Sequence, residues 1–405
     1  MRTRGELVRL AALWFGIQLL WGAVLGVLLQ ARVGSLAGPF GAERYGAIAA
    51  LGAWAAGVTQ IAAGWWSDRR RGERGRGRAA FYLAGAAAVV PALGAFLTAS
   101  SLTGLAFAFV ALEVAANLAI GPYQAAVADF VAGDSYGRAS GIMGIAQSGA
   151  IAVGAVLAAH LHRPALLWTV LGAAVVLGAV ATATAVMQRP YRISGEAHAA
   201  GPPRRNLVAV FVSRALLFAG FYTLLGYAYF YLRDSLALGQ GAARAAQGTL
   251  LALFTIGGGL GAVLAGRPAD RFDRRWVAVI GATLTGGMVL AIAAGNAGLP
   301  FVLAAGTLAG VGWGVVMTAD WAIGSMLVPE RMRATAMGIW NLAVLAPQAL
   351  APLAASALMA AAHASRSGGP RLALEAAAVE TVAGAVLLVG LRLALPGKKQ
   401  EGASE

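Results

Sequence analysis

The chain contains no cysteine and few charged residues, and both shortages limit what it can be. Without cysteine it has no disulfide framework, no thiol chemistry and no cysteine metal site. Only 12% of its 405 residues are charged, about half of the roughly 25% found in soluble domains. This excludes a cytosolic enzyme, a nucleic-acid binder and a disordered protein. Hydrophobic residues make up 59% of the chain, with a mean hydropathy of +0.72, which predicts an integral membrane protein.

Long apolar runs account for most of the sequence. A spanning helix needs about 20 mostly apolar residues, and such runs lie near 9–31, 45–66, 79–99, 103–130, 139–160, 164–187, 207–232, 245–266, 276–296, 300–327, 335–360 and 372–395. They predict an all-α membrane protein with 12 transmembrane helices in two pseudo-symmetric six-helix bundles. The expected divisions are an N-terminal bundle (1–187), a cytoplasmic linker (188–206), a C-terminal bundle (207–395) and a cytoplasmic tail (396–405).

The basic residues predict the orientation of these helices. Arginine supplies all but two of the 31 basic residues, mostly in short clusters between apolar runs, and the net charge is +14. With the N-terminus inside, the inner loops carry about three times as many basic residues as the outer loops, as cytoplasmic loops do. We therefore expect a multi-pass protein of the cell inner membrane with both termini cytoplasmic. Its positive charge would face anionic lipid rather than nucleic acid.

The two halves share a loop motif. The second and eighth runs both end in Gly-x-x-x-Asp-Arg, and an arginine followed by small residues opens both the fifth and the eleventh. A glycine permits close helix approach, and the charged residues can form contacts that break when a transporter changes state. Plain positive-inside topology would explain the arginines but not the paired glycines and aspartates. The predicted gating residues are Gly64, Asp68, Arg69, Arg138, Gly266, Asp270, Arg271 and Arg333.

Several segments together resemble the major facilitator superfamily, and within it the glycoside–pentoside–hexuronide:cation and sucrose–proton symporters. They are residues 15–21 (FGIQLLW), 64–78 (GWWSDRRRGERGRGR), 117–129 (NLAIGPYQAAVAD), 137–141 (GRASG), 319–322 (ADWA), 338–341 (GIWN) and the Pro347-Gln348 pair. The resemblance implies transport of a sugar or glycoside. One departure is Gln124, where sucrose symporters carry a basic residue, and this argues against sucrose itself.

Acidic side chains inside a span are costly and require an explanation. Glu113 lies near the middle of the fourth run, Asp129 near its inner end, and Asp320 within the tenth run. All three are candidates for proton coupling. The alternatives are a neutral, hydrogen-bonded carboxyl for Glu113 and a structural partner of the Arg69–Arg71 loop for Asp129.

Other polar and aromatic side chains share helix faces that would line a central cavity. At 100° per residue, Glu113, Asn117 and Gln124 fall within about 40° of one another. Aromatic rings and amides suit a sugar, although many of the rings can equally be packing or interfacial residues. Arg214 would either balance substrate charge or extend to the interface. The predicted cavity residues are Trp14, Gln18, Trp21, Asn117, Gln124, Arg214, Tyr222, Tyr227, Trp313, Trp321, Trp340, Asn341 and Gln348.

These observations predict a secondary active transporter that moves a small polar organic solute by alternating access. Isolated buried carboxylates favour coupling to protons over sodium. Two alternatives stay open, an exporter of drugs or amphipathic lipids and a non-transporting assembly factor on the same fold. No P-loop is present, which excludes ATP-driven transport by this chain. We expect no enzymatic activity, no cofactor and no metal, and a monomer whose partners are substrate, protons and lipid.

Overall fold

The apolar runs form helices in the computed structural model, which describes residues 3–70, 75–131, 136–187, 204–295, 298–327, 333–362, 365 and 367–389. The helices are α1 Arg4–Ala23, α2 Leu29–Ala37, α3 Gly41–Arg69, α4 Arg76–Thr98, α5 Leu102–Tyr123, α6 Ala126–Phe130, α7 Tyr136–His160, α8 Pro164–Val186, α9 Arg204–Phe230, α10 Gln240–Arg271, α11 Arg274–Ala294, α12 Leu299–Leu327, α13 Arg333–Ala361 and α14 Gly368–Val389. The predicted all-α membrane fold with two six-helix bundles is confirmed.

Eleven described stretches are long and apolar enough to cross a membrane. The first covers 66 residues, Arg4–Arg69, and contains two passages. A π turn, Val24–Leu28, joins α1 to α2, and the chain then reverses at Gly38, whose φ of 56° an L side chain rarely adopts. Gly34 and Gly41 meet across this reversal. Twelve passages result, in agreement with the count of apolar runs.

Local side chains fix several helix starts. The Thr3 hydroxyl accepts a hydrogen bond from the backbone N–H of Glu6 (3.3 Å), and the Glu6 carboxylate accepts one from the backbone N–H of Thr3 (3.1 Å), a reciprocal cap of a helix N-terminus. Ser101 caps α5 through the N–H of Gly104 (3.1 Å). Asp273 caps α11 through the N–H of Arg275 (3.0 Å). These caps satisfy backbone donors that have no partner within the helix.

Two predicted boundaries need correction. The expected fourth span, 103–130, is interrupted, because α5 ends just after Pro122 and a separate short helix, α6, follows. Proline removes a backbone donor and disturbs the preceding turn. The seventh span begins at Arg204 rather than 207, since a helix can extend beyond its apolar run. The predicted linker up to residue 203 and the tail lie outside the described residues.

Small residues let the helices of each half pack closely. A Cβ at Gly154 of α7 would overlap the backbone of Leu19 in α1, and one at Gly261 of α10 would overlap Val311 in α12. Close backbone approach of this kind stabilises helix association in lipid, where hydrophobic attraction between helices is weak. Within the glycine-rich segment 257–261, Gly257 and Gly261 therefore let α10 pack closely against α12.

The two halves meet at one end of the bundle. We call it the turn end, since it carries the Gly38–Phe40 turn, and we call the opposite end, where α3 ends and α9 begins, the linker end. At the turn end Gly46 of α3 packs against Pro352 of α13, and Gly248 of α10 packs against Ala155 of α7. The Arg244 guanidinium donates to the backbone oxygen of Ala158 (2.6 Å).

The same helices are apart at the linker end. Within the described residues, no atom lies within 4 Å of the Cβ position of Gly141, Gly144 or Gly149 in α7, or of Gly266 in α10. The tight glycine contacts between α7 and α10 are thus limited to the turn end. Among the described residues, this pattern indicates a cleft between the halves that is closed at the turn end and opens toward the linker end.

Candidate functional site

Glu113 is a buried acid with a neutral partner. Its side chain, on α5, is 1% exposed. The Asn117 amide, one turn later, donates to Glu113 Oε2 (3.0 Å) and to the Glu113 backbone oxygen (2.9 Å). Oε1 has no hydrogen-bond partner among the described residues. An ionised carboxylate without a cation is costly to bury, so this geometry favours the protonated carboxyl.

Asp320 has the opposite environment. Its carboxylate, on α12, forms an ion pair with the Arg214 guanidinium on α9, and both side chains are buried. The same guanidinium lies 4.9 Å from the centre of the Phe218 ring. Arg214 therefore does not extend to the interface, and this alternative is corrected. The pairing was missed in the sequence, although Arg214 lies well inside the predicted seventh span, 207–232.

Asp129 belongs to a cluster centred on Arg78. The Arg78 Nε lies 2.6 Å from Asp129 Oδ2, and Nη2 lies 2.9 Å from Asp68 Oδ1. Nη1 donates to the Ser67 hydroxyl (3.2 Å) and to the backbone oxygen of Pro122 (3.1 Å). The arginine itself is 1% exposed. It ties α3, α4, α5 and α6 together at the linker end.

The predicted structural partner of Asp129 was the Arg69–Arg71 loop; its described partner is Arg78, and Arg71 lies outside the described residues. Arg69 is exposed instead, and its guanidinium lies 3.7 Å from the centre of the Trp65 ring. Sequence reasoning counted Arg78 only as one basic residue of the loop. Its position in the first turn of α4 was the signal, because a side chain there can turn back beneath α5.

The other predicted gating residues differ between the halves. Gly64 lies against Gly121 of α5, where a Cβ on Gly121 would stand 3.2 Å from the Gly64 nitrogen. Gly266, its counterpart, has open space around it among the described residues, and Arg271 is exposed. The side chains of Arg138, Asp270 and Arg333 lie outside the described residues.

The first half contributes a tryptophan and amides to the cleft region. Trp14 stacks on Tyr123 with ring centroids 5.8 Å apart, and its Nε1 donates to Gln147 Oε1 (3.3 Å). Gln18 is buried and Trp21 is half-buried. Gln124 is exposed, beyond the break that ends α5. The amide of Asn117 already serves Glu113.

In the second half, Tyr222 links the two acid sites. This α9 residue is close enough for electrostatic interaction with both Glu113 and Arg214. Together with Gln348 it lines a pocket of about 340 Å³ between the halves. Trp313 stacks on Phe221 with ring centroids 4.8 Å apart. Three predicted cavity residues, Tyr222, Trp313 and Gln348, thus lie in the region of α9, α12 and α13 that faces α5.

Tyr227 does not belong to this cavity. Its hydroxyl lies 2.7 Å from the backbone oxygen of Pro352, to which it donates, and 2.6 Å from the Ser356 hydroxyl, and the side chain is fully buried. The prediction that Tyr227 lines the cavity is corrected, because the halves are closed around it at the turn end. The side chains of Trp321, Trp340 and Asn341 lie outside the described residues. Within the described chain, no group of three or more potential metal ligands is found.

These features define a class, a twelve-helix membrane protein with two similar halves, a cleft between them and acids buried beside it. The sequence profile of the Major Facilitator Superfamily matches residues 10–241 and 234–404. The chain belongs to this superfamily and is a membrane transporter rather than an enzyme. A search of curated proteins finds no significant sequence match.

Solved structures with the same fold share little sequence with this chain. A bacterial homologue of the human lysosomal transporter Spinster, inward-facing and unoccupied, has a TM-score of 0.72 at 14% identity and covers 96% of each chain. A D-xylose–proton symporter has a TM-score of 0.71 at 12% identity, covering 95% of this chain and 96% of its own. An auto-inhibited POT family peptide transporter has 0.73 at 12%, covering 96% and 98%. At these identities the similarity shows the fold alone.

Proposed function

We propose that the protein is a proton-coupled transporter of a small polar organic solute, with a sugar or glycoside as the favoured class. The observation that carries this proposal is the position of Glu113, an acid without a cationic partner among the described residues, beside a cleft that is closed at only one end. A coupling acid must be reachable from alternate sides of the membrane as the two halves rock.

The orientation follows from the charge distribution. The arginine-rich loops place the linker end in the cytoplasm, so the described conformation is inward-open. The structural similarity to an inward-facing Spinster homologue supports this assignment. Proton binding to Glu113 from the outside and release to the cytoplasm would couple the proton gradient to solute entry.

The proposed solute site lies where Tyr222 and Gln348 line the pocket between the halves. Aromatic faces stack on the apolar face of a sugar ring, and amides form hydrogen bonds with its hydroxyl groups. The motif resemblance to the glycoside–pentoside–hexuronide symporters supports this class, as does the shared fold of the D-xylose–proton symporter.

The Arg78 cluster would act in gating. It braces the linker end of the first half through Asp68 and Asp129, and Asp68 stays partly accessible with 57% of its side chain exposed. In the inward-closed state, this accessible carboxylate would meet the second half. Asp68→Asn should therefore shift the population toward the inward-open state. Stronger maleimide labelling of a cysteine placed at Gly144 would report this shift. Unchanged labelling would mean that the loop sets the membrane topology and has no part in gating.

Uptake into proteoliposomes tests the transport proposal. An imposed pH gradient should drive accumulation of at least one member of a panel containing D-xylose, D-glucose and methyl and phenyl β-D-glucosides. A protonophore should abolish this accumulation. If no sugar accumulates but an amphipathic cation is expelled, the exporter alternative is correct instead. If no solute moves in either direction, an assembly role replaces transport.

The proposed topology has a separate test that uses the absence of native cysteine. Gly5 and Gly239 are exposed, and among the described residues no atom approaches their Cβ positions. In intact cells, a membrane-impermeant maleimide should label Gly239→Cys directly and Gly5→Cys only after permeabilisation. The reverse pattern would invert the orientation. We also propose a monomer in the cell inner membrane, which mass measurement of nanodisc-embedded protein tests.

A further inference from the structure

A second, apolar cleft lies inside the second half, between α9, α10, α11 and α12. It is an open cleft of about 450 Å³, a volume that includes space outside its mouth, and its walls include Phe221, Leu250, Phe254, Val289 and Ile292. It has no role in the proton or gating sites described above. Ligand sites are commonly lined by apolar side chains with a few polar groups that fix orientation.

One buried amide faces this cleft. Gln247 of α10 is 2% exposed and lines the cleft. Its Nε2 donates to the backbone oxygen of Gly26 in the π turn of the first span (3.0 Å), which fixes the plane of the amide. Its Oε1 has no hydrogen-bond partner among the described residues. A buried acceptor without a donor is unfavourable, so a ligand O–H or N–H would be stabilised there.

The apolar cleft adjoins the pocket between the halves. Leu225 lines both spaces. Phe221, which lines the apolar cleft, is followed in the chain by Tyr222, which lines the other pocket, and it also stacks on Trp313. Leu225 and the adjacent Phe221 and Tyr222 therefore form a wall common to the two spaces.

We propose that this cleft is a subsite for the apolar arm of the substrate, an aryl or short alkyl group, with a hydroxyl or amide donor bonded to Gln247 Oε1. The polar part of the same molecule occupies the pocket lined by Tyr222 and Gln348. This inference rests on the proposed transport function. It narrows the substrate from a free sugar to a glycoside or a similar molecule with one polar and one apolar end.

The subsite is tested first without any sugar. The probe is 4-fluorobenzyl alcohol, an aromatic ring with one hydroxyl donor, and its ¹⁹F line width is measured with the full-length protein in nanodiscs. Ala309 lines the cleft, whereas Ala304 on the same helix is exposed. Ala309→Leu fills the cleft and should remove the protein-dependent broadening, while Ala304→Leu should leave it unchanged. Gln247→Leu should weaken binding at least fivefold.

Equal broadening in Ala309→Leu and Ala304→Leu would overturn the subsite. If Ala309→Leu does not fold, the decision passes to Gln247→Leu, and unchanged binding by that variant would likewise overturn it. Transport then tests the link to substrate. Phenyl β-D-glucoside should inhibit uptake of the transported sugar at least tenfold more strongly than methyl β-D-glucoside does. This preference should be kept in Ala304→Leu and lost in Ala309→Leu, in which the cleft is filled. Probe binding without any sugar transport would retain the subsite and reject the sugar proposal.

Discussion

The deepest acids of the two halves have opposite surroundings. Glu113 in the first half is bonded to an uncharged amide, whereas Asp320 in the second half is paired with a buried arginine. Both are almost completely buried. The membrane interior therefore holds one carboxyl that can change its protonation without breaking an ion pair and another that cannot. We propose that the former kind suits a proton carrier, whereas a buried ion pair fixes two helices together.

The sequence made both Glu113 and Asp320 candidates for proton coupling, and this contrast separates their roles. Loss of the proton from Glu113 leaves an uncompensated charge, so its protonation depends strongly on access to water. Protonation of Asp320 would instead leave Arg214 uncompensated. We propose that Glu113 couples the proton and that Asp320 with Arg214 holds α9 against α12.

The largest expected effect is that of Glu113→Gln, which imitates the permanently protonated carboxyl. This variant should lose proton-driven accumulation completely but retain solute exchange across the membrane. Counterflow and uptake in proteoliposomes measure the two activities. Glu380→Gln is the matched control, because Glu380 also lies within a span and has a neutral partner, the Thr223 hydroxyl (3.0 Å), but is only half-buried. Proton-driven accumulation by the Glu113→Gln variant would show that Glu113 does not couple the proton.

The next effect concerns the ion pair. Asp320→Asn removes the anionic partner of the buried Arg214 charge and should lower the free energy of unfolding by about 3–5 kcal/mol. The double variant Arg214→Met with Asp320→Leu should recover most of this loss, because no charge remains buried. Denaturant unfolding in detergent measures both. A stable Asp320→Asn protein that exchanges solute but cannot accumulate it would transfer the proton role to Asp320.

A smaller effect separates substrate binding from coupling. Gln18→Ala and Asn117→Ala should each weaken substrate binding by roughly 1–2 kcal/mol through loss of a buried hydrogen bond. Only Asn117→Ala should also alter the pH dependence of binding, because its amide is bonded to Glu113. Direct binding measurements across the pH range compare the two variants. An identical pH response in both would show that the Asn117 bond does not tune the acid.

The smallest effect extends the comparison to an ion pair near water. Asp273 and Arg275 form a salt bridge outside the membrane core, and each side chain is about one fifth exposed. Hydrogen bonding from Arg275 lowers the pKa of Asp273. Asp273→Asn should reduce stability by only about 0.2–1 kcal/mol at pH 7.

The pH dependence of this loss has a definite sign. Since the folded-state pKa lies below the unfolded one, the carboxylate stabilises the fold above the ordinary aspartate pKa of about 4. This contribution disappears as the pH falls through the lowered folded-state value. The melting temperatures of the two proteins should therefore converge in acid. A difference that persists there would mean that the cap geometry, not the charge, is responsible.

The sequence predicted the helices well and the partners of their charged residues poorly. Spans follow from runs of apolar residues, which hydropathy detects directly, so each predicted span corresponds to a helical segment. The pairing of Arg214 with Asp320 joins residues 106 positions apart, and helix periodicity does not set the rotation of one helix against another. Similarly, Arg78 lies in a loop rich in arginines, where only the packing of α4 under α5 selects the buried one.

The cavity predictions show the same limit. The face shared by Glu113 and Asn117 follows from their four-residue spacing, and both side chains are buried. Tyr227 was placed in the cavity because it is aromatic and lies on the same helix as Tyr222. Which of the two lines an open space depends on where the halves touch. That is a property of the conformation and not of the residue type.

The π turn at Val24–Leu28 has a consequence for the numbering of helix faces. One extra residue in a helical turn advances every later side chain by about 100° relative to a continuous α-helix. Trp14, Gln18 and Trp21 share one face of α1. This face therefore does not continue at i+3 and i+4 spacing beyond the turn. Gln30, past the turn, donates to the backbone oxygens of Leu25 (2.6 Å) and of Leu225 in the opposite half (3.3 Å). Deletion of a single residue here would restore regular spacing, yet it would rotate the whole of α2 out of register with the second half.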